Sequence, residues 1–358
     1  MKFNKIAVKI GSNVLTRTDG TLDITRMSGI VDQIAVLHKK GVEIVIVSSG
    51  AVASGRSILG IHKKMDVVDQ RQLFSAVGQA KLINHYWDLF RNHGITVGQV
   101  LTTKENFGSR RHYLNQRNCM RVMLDNKVIP IVNENDTVSV TELMFTDNDE
   151  LSGLIASMMD MEALIILSNI DGIYNGAPTN PESTVVREIQ KGQDISDFIQ
   201  TTKSTFGRGG MGTKTTIARK IADEGIDVFI ANGKADSILL RLLDKKTDVV
   251  CTRFVASTDE VSSIKKWIAH SQGFAKGEIH VNEIAAKVLT GDKAVSLLPI
   301  GTTNIIGDFE KDDIVKIIDP TGLCLGIGKA QYDSNKALEL MGKKNQKPLI
   351  HCDYMYLE

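Results

Sequence analysis

The chain has 358 residues, of which 42% are hydrophobic and 24% are charged, and its 43 Lys and Arg residues balance 42 Asp and Glu residues to a net charge of +1. At roughly 150 residues per domain this length predicts two or three domains, and the composition is that of a folded globular protein, which excludes the disordered class. A net charge this close to zero gives no general reason to bind nucleic acid or an anionic membrane.

Patterns typical of secreted and membrane proteins do not occur in the sequence. No apolar run approaches the roughly 18 residues of a membrane-spanning helix. The segment from Met1 to Ile6 lacks the apolar core and the cleavage site of a signal peptide. The four cysteines form no Cys-x-x-Cys pair, so neither a zinc site nor a disulfide framework is expected. We therefore expect a cytoplasmic protein that does not engage a membrane.

The first 256 residues alternate short β-branched runs with longer helical patterns. In the helical patterns apolar residues recur three and four positions apart, as in Met27, Ile30 and Ile34. This alternation predicts an α/β fold with a mainly parallel sheet between two layers of helices, a three-layer αβα sandwich. The predicted strands are 5–10, 43–47, 128–132, 163–167 and 227–231, and the predicted helices include 25–40, 149–161 and 213–224.

The alternation of strand-like and helical patterns ends at about residue 256. Residues 257–272 form a polar connector in which 264–269 have a helical pattern. Beyond it, short strand-like runs are separated by Gly, Asp and Pro, which predicts a small, mostly β domain. The predicted division is a domain over 1–256, a connector over 257–272 and a domain over 273–358. The strand-like runs of the last domain are 278–281, 314–318 and 323–329.

The residues directly after each strand are the first candidates for chemistry, because ligands of parallel α/β sheets bind at the carboxyl ends of the strands. The first two predicted strands end in turns rich in Gly and Ser, Gly11–Asn13 and Ser48–Gly55. Such turns suit either a plain strand–helix connection or an anion site. Lys9 lies inside the otherwise apolar first strand, where an unpaired ammonium group would be costly. We therefore expect Lys9 to face a carboxylate or a phosphate.

Two polar clusters, Asn133–Asp136 and Thr146–Glu150, follow the predicted strand at 128–132. Either Asp147 or Asn148 would serve as the N-terminal cap of the next helix, but capping does not need several such residues. Clustered carboxylates and amides at this edge of the sheet suit Mg²⁺ or the ammonium group of an amino-acid substrate. Both possibilities stay open at this point.

A glycine-rich segment, Phe206–Lys214, opens the predicted helix at 213–224. It contains Gly-x-Gly-x-x-Gly, but no apolar strand precedes it, so it is not a dinucleotide fingerprint, and it misses the P-loop pattern by one residue. Glycines at a helix N-terminus with a lysine one turn in still form a cradle for phosphate. A flexible surface loop is the alternative, and we favour nucleotide phosphates.

The same segments, taken in order over about residues 3–255, resemble the amino acid kinase family. Each motif alone is moderately specific, and all of them in the family's order are highly specific. Residues 277–334 resemble a PUA domain. The segments that carry the kinase resemblance are 8–12, 47–56, 75–79 (Ser-Ala-Val-Gly-Gln), 131–136, 147–149 and 209–214.

This resemblance implies transfer of the γ-phosphoryl group of ATP to the side-chain carboxylate of L-glutamate, the first step of proline synthesis, with Mg²⁺ bridging the phosphates. It also implies feedback inhibition by proline and self-association into a homo-oligomer. The reaction agrees with the residue chemistry: phosphoryl transfer asks mainly for positioning and cations, and an ionised carboxylate acceptor needs no general base.

The resemblance also implies a role for each matched position. Lys9 and Lys214 would stabilise the transferring phosphoryl group, and Asp149 would hold the two lysines in place. No residue is assigned as a direct metal ligand. The acceptor would contact Ser49, Gly50, Asn133, Asp136, Asp147 and Asn148. The nucleotide would contact Lys9, Gly11, Ser168, Asn169, Arg208, Gly209, Gly210, Met211, Gly212, Thr213 and Lys214. Asn169 departs from the acidic residue that the family commonly has there, and Arg208 departs from a small or hydroxylated one.

Two alternatives remain open. The first is a kinase of the same family with another acceptor, namely acetylglutamate, aspartate, carbamate or UMP. The second is an RNA-binding protein, since PUA domains often bind RNA. Residues 273–358 hold ten Lys and no Arg against twelve Asp and Glu, a net charge of −2, which disfavours RNA because RNA affinity depends largely on neutralising phosphates.

Overall fold

Apolar strands alternate with amphipathic helices through most of the chain in the computed structural model. The structure describes residues 2–60, 65–108, 110–138, 145, 147–177, 180, 182–195, 211–259, 262–291 and 294–357. Its strands are β1 Lys5–Ile10, β2 Glu43–Ser48, β3 Val97–Thr102, β4 Ile129–Glu134, β5 Ala163–Ser168, β6 Glu188–Ile189, β7 Asp227–Asn232, β8 Thr252–Phe254, β9 Gly277–Val281, β10 Thr302–Gly307, β11 Ile314–Ile318, β12 Cys324–Lys329 and β13 Met355–Leu357.

The helices begin and end close to the predicted positions where the sequence pattern was strong. The described helices are α1 Ser12–Leu15, α2 Ile24–Lys39, α3 Ala51–Leu59, α4 Val67–Arg91, α5 Glu105–Gly108, α6 Arg110–Asp125, α7 Asn148–Met158, α8 Met211–Asp223, α9 Ile238–Leu243, α10 Ser263–Ala269, α11 Glu283–Leu289 and α12 Ser334–Leu340. None of these helices is long and apolar enough to cross a membrane.

An eight-stranded sheet organises the first unit, which comprises residues 1–104 and 114–260. Its strand order is β3-β4-β2-β1-β5-β7-β8-β6, and neighbouring strands run parallel except for the antiparallel pair of β7 and β8. Every residue of β4 and β5 is buried, as expected for strands that are covered on both faces. The predicted α/β class with a mainly parallel sheet is confirmed.

Helices cover both faces of this sheet, and alternate residues of β1 point to different layers. Ile6, Val8 and Ile10 belong to a core that includes buried residues of α2, α4 and α9. The intervening residue Lys9 belongs to the opposite face, where α7 packs against β1 and α8 packs against α7. Lys9 itself is in register with Val47 of β2 and Ile166 of β5. The lysine that the sequence singled out therefore lies in the middle of the sheet, under α7.

Two glycines bring α3 and α4 into backbone contact. A Cβ atom added to Gly78 would lie 1.8 Å from the carbonyl oxygen of Ala51 and 2.4 Å from the nitrogen of Gly55. A Cβ atom added to Gly55 would lie 1.8 Å from the carbonyl oxygen of Phe74. Any side chain at either position would force the helices apart. The pair of glycines thus fixes α4, which carries several polar residues of the site described below.

A five-stranded sheet in the order β10-β9-β11-β12-β13 organises the second unit, residues 105–113 and 261–358. The sequence pattern predicts instead that 105–113 belong to the first domain and that 257–272 form a connector. In the structure Trp267 of α10 is buried, and its indole Nε1 donates to the carbonyl oxygen of Phe107 at 2.9 Å. The guanidinium of Arg110 lies 5.3 Å from the centroids of both the Tyr113 and Trp267 rings. The short segment 105–113 is thus an integral part of the second unit.

We expect Gly78→Ala to lower the free energy of unfolding by about 1–3 kcal/mol or more, because the new methyl group has no space against the backbone of α3. Gly29→Ala is the matched control: Gly29 also lies inside a helix, α2, but a Cβ atom there would meet nothing within 4 Å. The control should be neutral or gain up to about 1 kcal/mol from helix propensity. Urea unfolding measures both, and equal stability of the two variants would contradict the close contact.

Candidate active site

A buried carboxylate between two lysines forms the centre of the site. Asp149 Oδ1 lies 2.6 Å from Lys9 Nζ, and Asp149 Oδ2 lies 2.9 Å from Lys214 Nζ. The side chain of Asp149 is 1% exposed, and those of Lys9 and Lys214 are 7% and 13% exposed. Burial alone would raise the pKa of Asp149, but the two ammonium groups outweigh it and hold that pKa below its usual value. Asp149 is therefore an anion that orients two cations at one point.

Three different elements bring these side chains together. Lys9 comes from the central strand β1, Asp149 from the first turn of α7, and Lys214 from the first turn of α8. The helices can approach because Gly153 of α7 faces Ile217 and Ile221 of α8, and a Cβ atom there would lie 2.9 Å from Ile217. The family resemblance implies that these three charged groups act together, and the structure brings all three into direct contact.

Asp147 caps α7 and fixes the position of Asp149. Its Oδ1 accepts the backbone N–H groups of Asp149 at 2.8 Å and Glu150 at 3.0 Å. Its Oδ2 is buried and has no hydrogen-bond partner among the described residues. Burial, together with the neighbouring Asp149 carboxylate, raises the pKa of Asp147 to about 6. Asp147 was predicted both as a cap and as an acceptor contact, and the capping contact is present.

The end of β1 and the end of β5 meet at Gly11, close to the ammonium group of Lys9. The N–H of Gly11 donates to the carbonyl oxygen of Leu167 at 3.2 Å. A Cβ atom on Gly11 would lie 3.1 Å from that oxygen and 3.5 Å from Lys9 Nζ. Ser168, the next residue of β5, is buried, and its carbonyl oxygen accepts the N–H of Gly233 at 2.8 Å. Because Gly11 has no side chain, nothing from this position comes between the backbone and the lysine ammonium group, which suits close approach of a phosphate.

A network of amides and hydroxyls lies at the ends of β2 and β4. Asn148 Nδ2 lies 3.0 Å from Ser49 Oγ, 3.0 Å from Asn133 Oδ1 and 3.2 Å from the carbonyl oxygen of Ser48. Asn133 Nδ2 in turn donates to Gln79 Oε1 of α4 at 2.8 Å. Of the predicted acceptor contacts, Ser49, Asn133 and Asn148 are therefore brought together. Gly50 follows directly in a left-handed conformation, with φ at +113°.

Asp136, one of the predicted acceptor contacts, lies in an ion-pair network. Arg71 Nε of α4 lies 2.6 Å from Asp136 Oδ1, and Arg71 Nη2 lies 2.7 Å from Glu134 Oε2. Glu134 also accepts the backbone N–H of Phe145 at 3.0 Å through Oε1. The side chain of Arg71 is 18% exposed. Asp136 is thus already held by a cation of the protein, which the sequence did not anticipate.

The predicted nucleotide contacts are only partly described. Arg208, Gly209 and Gly210 lie outside the described residues. Met211, Gly212, Thr213 and Lys214 form the first turn of α8, where backbone N–H groups and the helix dipole favour an anion. Asn169 follows Ser168 at the end of β5, and its Oδ1 lies 3.4 Å from Ser168 Oγ. Their roles toward a nucleotide stay predictions.

The second unit contains one further group of potential metal ligands among the described residues. Ligand atoms of His351, Cys352 and Asp353 lie within 4.8 Å of one another. However, His351 Nδ1 already accepts the backbone N–H of Asp353 at 3.2 Å and caps a short helical turn. This local hydrogen bonding explains why the three side chains are close.

Comparison with known proteins agrees with this geometry. The model of the amino acid kinase family matches residues 4–232, and that of the PUA domain matches residues 277–351. The glutamate 5-kinase of Bacteroides thetaiotaomicron is 70% identical over 357 residues, which are 100% of this chain and 99% of that relative. The glutamate 5-kinase of Chlorobaculum tepidum is 46% identical, over 99% of this chain and 98% of that relative.

Solved structures support the fold of the first unit. A structure of isopentenyl phosphate kinase covers 70% of this chain and 100% of its own, with a TM-score of 0.52 and 19% identity. The UMP kinase of Ureaplasma parvum covers 71% of this chain and 100% of its own, with a TM-score of 0.50 and 16% identity. Since both identities are low, these likenesses concern the fold alone. Because the family model matches more than half of its residues, the chain belongs to the amino acid kinase family, and it carries a C-terminal PUA domain.

Proposed function

We propose that the protein transfers the γ-phosphoryl group of ATP to the side-chain carboxylate of L-glutamate and so forms L-glutamyl 5-phosphate. The observation that carries this proposal is the buried Lys9–Asp149–Lys214 bridge at the carboxyl edge of the sheet. The choice of glutamate among possible acceptors is supported by full-length relatives named glutamate 5-kinase, one of them 70% identical.

The bridge suits this reaction because it fixes two ammonium groups at one point. Direct transfer to the acceptor carboxylate needs such cations and does not need a nucleophile from the protein. During transfer, negative charge spreads over the phosphoryl oxygens and the bridging oxygen, and fixed cations lower the energy of that state. Asp149 has both of its oxygens occupied by the lysines, so it is a positioning residue. The acceptor carboxylate is ionised at neutral pH, and no group has to remove a proton from it.

The residues of the site fit a nucleotide with Mg²⁺. Gly11 brings no side chain next to Lys9 Nζ, and Lys214 in the first turn of α8 reaches the same Asp149 carboxylate as Lys9. Lys9, Gly11 and Met211–Lys214 would hold the phosphates of ATP. Mg²⁺ would be held by the phosphate oxygens themselves, since the Asp149 carboxylate is engaged by the lysines, and it would supply further neutralisation of phosphate charge.

On the acceptor side, the amide network and Asp136 would hold the amino acid. Asn148 contacts Ser49 and directly precedes Asp149 of the lysine bridge in α7, which suits the reacting end of glutamate. Asp136 would share its charge between Arg71 and the substrate ammonium group. Proline, like glutamate, carries an α-carboxylate next to a protonated amine, so we propose that it inhibits by binding at this end of the site.

The place of the protein in the cell follows from the proposed reaction. As the first step of proline synthesis it would act in the cytoplasm, and we expect it to work as a homo-oligomer.

The alternative of an RNA-binding role for the PUA domain is disfavoured by the net charge of −2 over 273–358, ten Lys against twelve Asp and Glu. Retention on heparin at low salt would support that alternative.

The function is tested by trapping the acyl phosphate with hydroxylamine. Purified protein with ATP and Mg²⁺ should give hydroxamate from L-glutamate in preference to acetylglutamate, aspartate, carbamate or UMP, the last assayed by ADP release. Faster reaction with any of these four acceptors would overturn the assignment of substrate and leave the assignment of family intact. Added proline should lower the rate with glutamate.

We expect Lys9→Ala and Lys214→Ala each to lower kcat by on the order of 10²–10³, because each removes one fixed cation from the transferring phosphoryl group. Lys5→Ala is the matched control, since Lys5 lies at the other end of β1 in a half-exposed pair with Glu43. The control should stay within about twofold of the parent, as expected for a surface ion pair. Normal turnover in a folded Lys9 or Lys214 variant would remove that lysine from the mechanism.

Asp147 should make folding stability depend on pH. Its pKa is raised to about 6 in the folded protein, against about 3.9 in an unfolded chain. The folded state therefore holds the proton more tightly, so this contribution to stability is present below about pH 4 and is lost as the pH rises through about 6.

Asp147→Asn removes this titration and keeps an oxygen for the cap of α7. The free energy of unfolding of the variant, relative to that of the parent, should therefore increase between pH 4 and pH 7. Urea unfolding of both proteins across this range measures the difference. A difference that does not change with pH would show that Asp147 does not titrate as the geometry indicates.

A further inference from the structure

We propose that Gln79 selects the acceptor: its side-chain amide nitrogen donates a hydrogen bond to the α-carboxylate of the amino acid. This inference rests on the proposed function, because it assumes an acceptor with a second carboxylate beyond the reacting one. It assigns a specificity-determining contact to a residue of α4 that no strand-end motif indicates.

The hydrogen bonds of the amide network fix which end of Gln79 is the donor. The backbone N–H of Glu134 donates to Asn133 Oδ1 at 2.9 Å, and a backbone N–H can only donate. The other end of Asn133 is therefore its NH₂ group, and this group donates to Gln79 Oε1 at 2.8 Å. Asn148 Nδ2 also approaches Asn133 Oδ1, which agrees with the same orientation. The orientation of Gln79 thus follows from a chain of contacts that starts at a backbone N–H group.

The donor that remains, Gln79 Nε2, is buried and unused. Gln79 is 9% exposed, and its Nε2 atom has no hydrogen-bond partner among the residues that the structure describes. Buried donors in folded proteins almost always have an acceptor, because an unmet one loses its hydrogen bonds to water. A bound ligand with an oxygen at this point would supply the missing acceptor.

The connections of the network suit a position for Gln79 at the far end of the acceptor. Asn148 directly precedes Asp149 in the chain, its side chain contacts Asn133, and Asn133 in turn contacts Gln79. An acceptor with its reacting carboxylate at the lysines would extend along this network. Its other end carries an ammonium group and an α-carboxylate, and an NH₂ donor suits the carboxylate.

Gln79 is also held rigidly enough to discriminate between acceptors. It directly follows Gly78, whose close contact with Ala51 and Gly55 fixes α4 against α3. Its Oε1 is tied to Asn133, so the side chain cannot turn its acceptor end toward the ligand without losing that bond. A site whose donor is fixed in this way rejects an analogue that lacks the matching acceptor.

The test uses Gln79→Glu with two acceptors, L-glutamate and its α-amide. The variant keeps an oxygen for Asn133 and replaces the NH₂ donor by a carboxylate oxygen. The α-amide keeps the reacting carboxylate and the ammonium group, but it carries a carboxamide in place of the α-carboxylate. The parent should prefer L-glutamate. In the variant the ratio of kcat/KM for L-glutamate to that for the α-amide should fall roughly 10- to 100-fold, as expected for loss of one charge-assisted hydrogen bond.

In Gln79→Glu the fall in kcat/KM for L-glutamate should come mainly from a higher KM for L-glutamate. The kcat and the KM for ATP should stay within about threefold of the parent, since the proposed contact of Gln79 is not with the phosphoryl group. Gln70→Glu is the control, because it makes the same change on the same helix, where Gln70 Oε1 lies 3.4 Å from Arg56 Nη2. The control should leave the ratio unchanged.

Gln79→Met provides a second variant if Gln79→Glu does not fold. It removes the donor without adding charge, and the ratio should then fall roughly 10-fold. An unchanged ratio in a folded, active variant would overturn the role of Gln79 and leave the kinase assignment intact. A parent protein that forms no acyl phosphate from L-glutamate would instead overturn the proposed function.

Discussion

The geometry of the site depends on one ion cluster, the Asp149 carboxylate held between the ammonium groups of Lys9 and Lys214. Two lysines this deeply buried would lose much of their hydration without a partner, and the single carboxylate compensates both. The two lysines and the one carboxylate together carry a net charge of +1, and a positive charge attracts the negatively charged phosphoryl group. The same three charges therefore join β1, α7 and α8 and leave an anion site beside them.

The acceptor side of the site combines the carboxylate of Asp136 with a network of neutral amides and hydroxyls, in contrast to the lysine bridge. Ser49, Asn148, Asn133 and Gln79 form one connected network of hydrogen bonds that ends at the NH₂ group of Gln79. Directional hydrogen bonds of this kind discriminate between ligands of similar charge more sharply than ion pairs do. The arrangement separates two tasks, since cations act on the transferred group and amides recognise the acceptor.

Local patterns in the sequence predicted the most apolar strands and the groups that follow them, but they did not indicate β3, β6 and β8 of the first sheet or β10 and β13 of the second. A lysine in an apolar strand indicated a buried anion, and the acidic start of α7 indicated the cap at Asp147. Contacts between distant parts of the chain left no such pattern. Gln79 meets Asn133 across 54 positions, and Trp267 meets the Phe107 carbonyl across 160. The grouping of residues 105–113 with the second unit likewise depends on tertiary packing that periodicity does not encode.

The most direct test of the account is the turnover of Asp149→Asn with ATP and L-glutamate at saturation. The substitution keeps the shape of the side chain and removes the charge that orients both lysines. The account predicts a fall in kcat on the order of 10² or more, because both cations lose their fixed position, with the affinity for ATP retained within about threefold. A folded variant whose kcat stays within about threefold of the parent would contradict the central role of the lysine bridge.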